Sequence, residues 1–205
     1  MSSFDLILAS ASPRRLELLA GIGISARALP VDLDESALAG ESPLEQVQRL
    51  ARHKAQAGWH CRDAALPVLG GDTALSLEGE LIGKPRDTDH ALALLRRLSG
   101  RAHQVISAVA VIGPAGLEEA LVVSEVRFRP LGEEEIAAYV ASGEGADKAG
   151  GYALQGLGAI FVERIEGSWS AIVGLPLCET AQLLARQGVA PWRDGERLRK
   201  SVFSS

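Results

Sequence analysis

Ser10-Ala11-Ser12-Pro13-Arg14-Arg15 places two hydroxyls and two guanidiniums in six residues. The run follows the apolar stretch Leu6–Ala9 and precedes Leu16-Glu17-Leu18-Leu19, so it reads as the turn between a buried strand and a helix, with Ser12 as N-cap and Pro13 as first helical residue. A helix start carries partial positive charge, so each cation in its first turn costs about 0.3–1 kcal/mol. An anion docked there would give the two arginines, the hydroxyls and the helix amides a common target. Otherwise the arginines simply lie in solvent.

Other residues with chemical potential are scattered along the chain. Asp72 ends the apolar run from Pro67, where α/β proteins place ligands, or it caps a turn. A hairpin around Glu78-Gly79 returns to Lys84: a two-residue loop sets Thr73 opposite Lys84, a three-residue loop sets Asp72 there. Asp34-Glu35 supplies carboxylates for a hard cation, or plain loop charge. Lys54 lies late in a helix, where a cation suits the negative pole. Gln155 sits among the glycines of 150–158, which suggest close backbone approach to something flat or charged, and its amide offers a donor and an acceptor. His103 reads as a structural core histidine.

Two phosphate-binding patterns are excluded. Gly79–Lys84 is one residue short of a P-loop and proline follows the lysine, while the glycines of 150–158 follow no strand and do not spell GxGxxG.

The elements that must position these residues alternate between strand and helix at first and become hairpin-like later. Ser42-Pro43-Leu44-Glu45 opens a helix to about Ala57 with a capping box, the acid standing where the first helix has Arg15. Pro67–Gly71 reads as a short strand and Thr73–Ile82 as the hairpin after it. A helix starts at Asp87 or Thr88, with Ala91, Leu92, Leu94, Leu95 and Leu98 on one face, and closes at Gly100. Residues 103–112 and 119–128 pair as antiparallel strands, and Glu133–Ser142 forms a helix. Strands are expected at 159–165 and 169–173, a helix from Gly174-Leu175-Pro176 to Gln187, and a surface tail over 190–205.

The chain has 205 residues, 47% hydrophobic and 23% charged, and a formal net charge of −5. Such a chain forms one domain or two lobes, and its acidity argues against a nucleic-acid partner, leaving any anion to a local cationic cluster. No apolar run spans a bilayer and no leader pattern opens the sequence, so a cytoplasmic protein without membrane partners is expected. Cys61 and Cys178 lie far apart with no metal-ligand spacing and read as inert packing residues.

Taken in order, SASPRR, Asp34-Glu35, RLARHKAQA, GGDTALSLEGELIGKPRD, LSGRAHQV and DKAGGYALQGLGAIFVERIEGSWSAIVGLPL resemble the Maf family of nucleoside triphosphate pyrophosphatases from about Leu6 to Leu184. The resemblance implies a single Maf/ITPase-like domain over 1–205: α/β, with a mixed twisted sheet, flanking helices and two lobes around a cleft. It implies hydrolysis of a nucleoside triphosphate to a monophosphate and pyrophosphate with Mg²⁺ or Mn²⁺, often by a homodimer. Asp72 is then the proton acceptor and, with Glu35, a metal ligand. Ser10, Arg14, Arg15, Lys54, Thr73, Lys84 and Gln155 bind substrate, with Arg14, Thr73 and Gln155 tied to its choice. SPRR without a tryptophan, and Gln in YALQG, resemble the dTTP/UTP-preferring branch. Gly71 before the aspartate and Ser107 in HQVISAV depart from the usual residues, which bears on fine preference. A nucleotide-binding cell-division regulator without turnover and a nucleotidyltransferase are the alternative readings; the latter needs glycines that residues 9–15 lack.

Overall fold

Leu6, Ile7 and Leu8 are fully buried, as a continuous apolar run demands when a parallel strand is covered on both faces. They form β1 (Leu6–Leu8) in a computed structural model that describes residues 4–61 and 65–190. Next come α1 (Pro13–Gly21), β2 (Ala26–Ala28), α2 (Pro43–Cys61), β3 (Val68–Leu77), β4 (Glu80–Ile82), α3 (Thr88–Leu98) and β5 (Ala102–Gly113). The chain continues through β6 (Gly116–Phe128), α4 (Glu133–Ala141), β7 (Val162–Glu166), α5 (Trp169–Val173) and α6 (Leu177–Arg186), with short 3-10 turns at Ala149–Gly151 and Leu157–Phe161.

The fold is mixed α/β. Seven strands form one sheet in the order β2-β1-β3-β5-β6-β7, with β4 pairing β3. β1 is parallel to both β2 and β3, while β4 runs antiparallel to β3 and β7 to β6. The β3–β4 register, Leu77 opposite Glu80 and Leu75 opposite Ile82, fixes a two-residue turn. Glu78 (φ 55°) and Gly79 (φ 85°) are both left-handed, as a type I′ turn requires, so of the two loop lengths the sequence left open the shorter is adopted. No helix among the described residues is long and apolar enough to cross a membrane.

Packing divides the described chain into two compact units. The first holds the residues up to Asp72, Ser107–Leu121 and those from Gly174 on; the second holds Thr73–Ile106 and Val122–Val173. In the first, Ile7, Ala9 and Val68 pack with Leu29, Val31, Trp59, Leu66 and Ile112. The second has the larger apolar cluster, including Leu75, Leu94, Leu95, Leu98, Phe128, Tyr139, Tyr152 and Phe161.

Several sequence expectations are corrected. The strand predicted to stop at Gly71 runs on to Leu77, so Asp72 lies within β3 and not beyond its end. Residues 169–173 are helical, because Ser168 caps them: its Oγ accepts from the Ala171 amide at 3.3 Å, and its own amide is held by Ser124 Oγ at 3.0 Å. The expected strand from 159 begins only at Val162, after a 3-10 turn. The helix expected to end near Ala57 reaches Cys61, and β2 was not anticipated. Both cysteines are exposed free thiols, not packing residues. The expected tail lies, beyond Ala190, outside the described residues.

Candidate active site

Asp72 is brought into a charged cluster by glycines whose missing side chains admit neighbours. A Cβ on Gly70 would stand 2.4 Å from both Ala51 O and Ala55 N, so β3 lies directly against the backbone of α2. Lys54 lies on that stretch of α2. Its Nζ sits 2.7 Å from Asp72 Oδ1 and 2.6 Å from Glu35 Oε1, so one ammonium joins two carboxylates. Lys54 is 9% exposed, whereas the Glu35 side chain is 58% exposed. Lys54 is thus a buried partner of both carboxylates as well as a cation late in α2.

The Glu35 loop is strapped to the same helix. Gln46 Nε2 donates to Glu35 O at 3.1 Å, and Arg49 donates to Ser36 O at 3.0 Å while its fork pairs with Glu41. That pairing holds the Glu41 carboxyl down at about 2. Asp34 turns back on its own loop, accepting from the Ser36 amide at 2.9 Å.

Arg14 and Arg15, alike in sequence, differ in place. Arg15 is buried beside Gly71; its Nε donates to Gly174 O at 2.9 Å and its Nη1 to Ser10 Oγ at 3.1 Å. Burial pulls its guanidinium below the ordinary value, Asp72 pushes it up, and the like charge of Arg14 lowers it again. Arg14 is half-buried and makes no hydrogen bond or ion pair among the described residues. Ser12 occupies the N-cap position, yet its side chain makes no cap bond; its amide donates instead to Ser10 Oγ at 3.1 Å. With no acid in the first turn, the opening of α1 keeps its positive character.

Ser10, Arg14, Arg15, Glu35, Lys54 and Asp72 thus belong to the first unit. Arg15, Ser10, Lys54, Asp72 and Glu35 are linked through bonds or close charge, with Arg14 beside Arg15. Thr73, half-buried, follows Asp72 on β3 but belongs to the second unit, as do Lys84 and Gln155. Lys84 and Gln155 are exposed and make no hydrogen bond or ion pair among the described residues. His103 is 2% exposed and donates to or accepts from Tyr152 Oη at 2.8 Å; burial lowers its pKa to about 4, in keeping with a structural role.

The arrangement combines two carboxylates, a buried ammonium and two guanidiniums near a helix opening, whose cations suit an oxygen-rich anion. Two residues escaped the sequence reading. Gly174 supplies the acceptor for Arg15 from 159 residues away, and Gly70 works through a helix that only the folded chain brings near.

A family model described as Maf-like protein matches residues 5–187. The chain belongs to the Maf family. Among its Maf relatives, the dTTP/UTP pyrophosphatase of Hahella chejuensis is 49% identical over 191 residues, covering 92% of this chain and 95% of that one. The dTTP/UTP pyrophosphatase of Shigella sonnei is 52% identical over 181 residues, covering 88% and 92%. Among solved structures, the Staphylococcus aureus Ham1 protein overlaps this Maf chain with TM-score 0.41 and 16% identity, over 60% of this chain and 71% of that one.

Proposed function

We propose that this chain hydrolyses dTTP and UTP between the α and β phosphates, releasing the monophosphate and pyrophosphate. The observation that carries the reading is the join of Arg14, Arg15 and Lys54 with Asp72 at an uncapped helix start. The names of relatives at 49% and 52% identity support the same activity.

A triphosphate brings about four negative charges to a protein that is itself acidic, so it needs cations at close range. Arg14 and the α1 amides offer donors to phosphate oxygens. Arg15 braces that start through Gly174 and Ser10 while adding its own charge. Asp72 accepts a proton from the attacking water, a contribution typically worth about 10²–10⁴-fold. A bond forms from the water oxygen to phosphorus, the α–β bridging P–O bond breaks, and pyrophosphate leaves with the bond's electron pair.

The donor set fits a divalent cation such as Mg²⁺ or Mn²⁺, since two hard carboxylate oxygens already converge on one positive centre. Glu35 and Asp72 would hold it. Among the described residues no cluster of three or more His, Cys, Asp or Glu could do so alone, so phosphate oxygens complete the set. When bound, the cation neutralises charge on the phosphate oxygens. Thr73, Lys84 and Gln155 are assigned to substrate on the resemblance, Lys84 to phosphate and Gln155 to the base.

Incubation with dTTP or UTP plus Mg²⁺ should yield dTMP or UMP and pyrophosphate. A diphosphate with inorganic phosphate would contradict the reading, and a nucleotide sugar formed on adding a sugar phosphate would replace it with a transferase. Asp72→Asn should cut kcat by about 10²–10⁴-fold and leave triphosphate binding intact; unchanged turnover would remove Asp72 from the role of base.

A further inference from the structure

Gln155 sits in a segment, Tyr152–Gly158, that is tied down on both sides of it. Before it, Tyr152 Oη meets His103 Nε2 at 2.8 Å, inside an edge-to-face group with Phe128, and the Ala153 amide donates to Tyr139 Oη at 3.0 Å. After it, one carboxylate takes both free amides: Leu157 N–H donates to Glu144 Oε1 at 2.8 Å and Gly158 N–H to Glu144 Oε2 at 3.0 Å. Gly156 (φ 145°) lies between them and Gln155, and a Cβ there would stand 2.1 Å from Glu144 Oε1. The carboxylate therefore closes directly over the backbone that follows Gln155, while the Gln155 side chain stays exposed with no hydrogen bond among the described residues.

We infer that Glu144 is a positioning residue for base choice: by clamping the Leu157 and Gly158 amides it fixes the backbone turn from which Gln155 presents its amide to the nucleobase. The inference rests on the reading of Gln155 given above. Glu144 suits this task because an ionised carboxylate offers acceptors in two directions, whereas a glutamine would turn an N–H donor toward one of the two amides. Burial pushes the Glu144 carboxyl up, but the two amide bonds, the Tyr139 hydroxyl and the nearby Lys148 charge together outweigh it, holding the group below its usual range and in the accepting form. The Glu144 carboxylate also accepts from the Tyr139 hydroxyl, which itself accepts from the Ala153 amide, so one network holds the segment on both sides of Gln155.

Two readouts test the clamp: amide hydrogen exchange at Leu157 and Gly158, and kcat and KM for dTTP, UTP, dCTP and dGTP. They are compared in the wild-type protein, Glu144→Gln, Gln155→Ala and the double variant. In Glu144→Gln, exchange at Leu157 and Gly158 should accelerate roughly ten- to hundredfold, the size of losing charge-assisted hydrogen bonds, with β5 amides unchanged. The preference for dTTP over dCTP in kcat/KM should fall about tenfold or more in each single variant and no further in the double, because both act through one segment. Unchanged exchange would overturn the clamp. Equal loss on all four triphosphates, or single-variant losses that multiply in the double, would overturn its role in base choice. A wild-type protein that releases no pyrophosphate would instead sink the hydrolase reading, which the exchange measurement does not touch.

Discussion

Helices α1 and α2 open with the same Ser-Pro pair and end in opposite electrostatic states. At α2, Ser42 and Glu45 bond reciprocally: the Ser42 amide donates to Glu45 Oε2 at 2.8 Å and the Glu45 amide to Ser42 Oγ at 3.4 Å. The helix satisfies its own first turn. At α1, Ser12 makes no side-chain cap bond and the position of the acid is taken by Arg15, bonded away to Gly174. A first turn left uncapped and crowded with cations is a local cost of about 0.3–1 kcal/mol per charge, and such departures from local rules gather at functional sites. The comparison teaches that α2 is built to stand, while α1 leaves its opening free for the phosphate of the proposed function.

The strongest way to break this contrast is to convert one start into the other. Arg15→Glu would set an acid three residues after Ser12, the pattern of α2, while removing the bond to Gly174 and bringing a carboxylate toward Asp72. Turnover of dTTP should fall by roughly 10³-fold or more, as cations opposite developing charge are lost. A variant retaining activity within a few fold would end the contrast.

A second pair sharpens it by separating the two arginines. Arg15→Met should lower unfolding stability by about 1.5–3 kcal/mol, the range for hydrogen bonds to a buried charged group, whereas Arg14→Met should stay within about 0.5 kcal/mol. Urea unfolding followed by circular dichroism reads both, and equal losses would show that the arginines are not divided between bracing and receiving.

The smallest effects concern the caps. Ser42→Ala should cost about 0.5–2 kcal/mol and Ser12→Ala close to nothing, since only Ser42 makes a side-chain cap bond. Hydrogen bonds from Ser42 hold the Glu45 carboxyl below its ordinary value. A carboxyl lowered on folding stabilises above its unfolded pKa of about 4.3, and that contribution is lost as pH falls below it. The stability gap between wild type and Ser42→Ala should therefore narrow on acidification through about pH 4.

Much of this contrast was legible in the chain. The two Ser-Pro starts, the acid in one and the arginine in the other, and most of the order of strand and helix, though not β2 or α5, follow from spacing and local propensity. The division of labour between Arg14 and Arg15 was not, because the Gly174 carbonyl that claims Arg15 is a long-range partner. Read from the chain, Asp72 ends the apolar run from Pro67, which includes Gly70 and Gly71. In the fold these glycines mark close approach by α2 and Arg15, and the strand runs on. Trp169–Val173 is a short, mostly apolar run ending in Ile-Val like a buried strand, but the Ser168 cap decides for helix. Glu144 carried no signal, since a lone acid between glycines reads as loop charge until its two amide partners are folded against it.

The central claim is that the opening of α1 seats a polyphosphate, and binding of the non-hydrolysable α,β-imido analogue of dTTP to Arg14→Met tests it most directly. With Mg²⁺ at low salt the variant should bind about tenfold or more weakly than wild type, and the gap should shrink as added salt screens the half-buried charge of Arg14. Equal affinity of the two proteins at low salt would contradict the account.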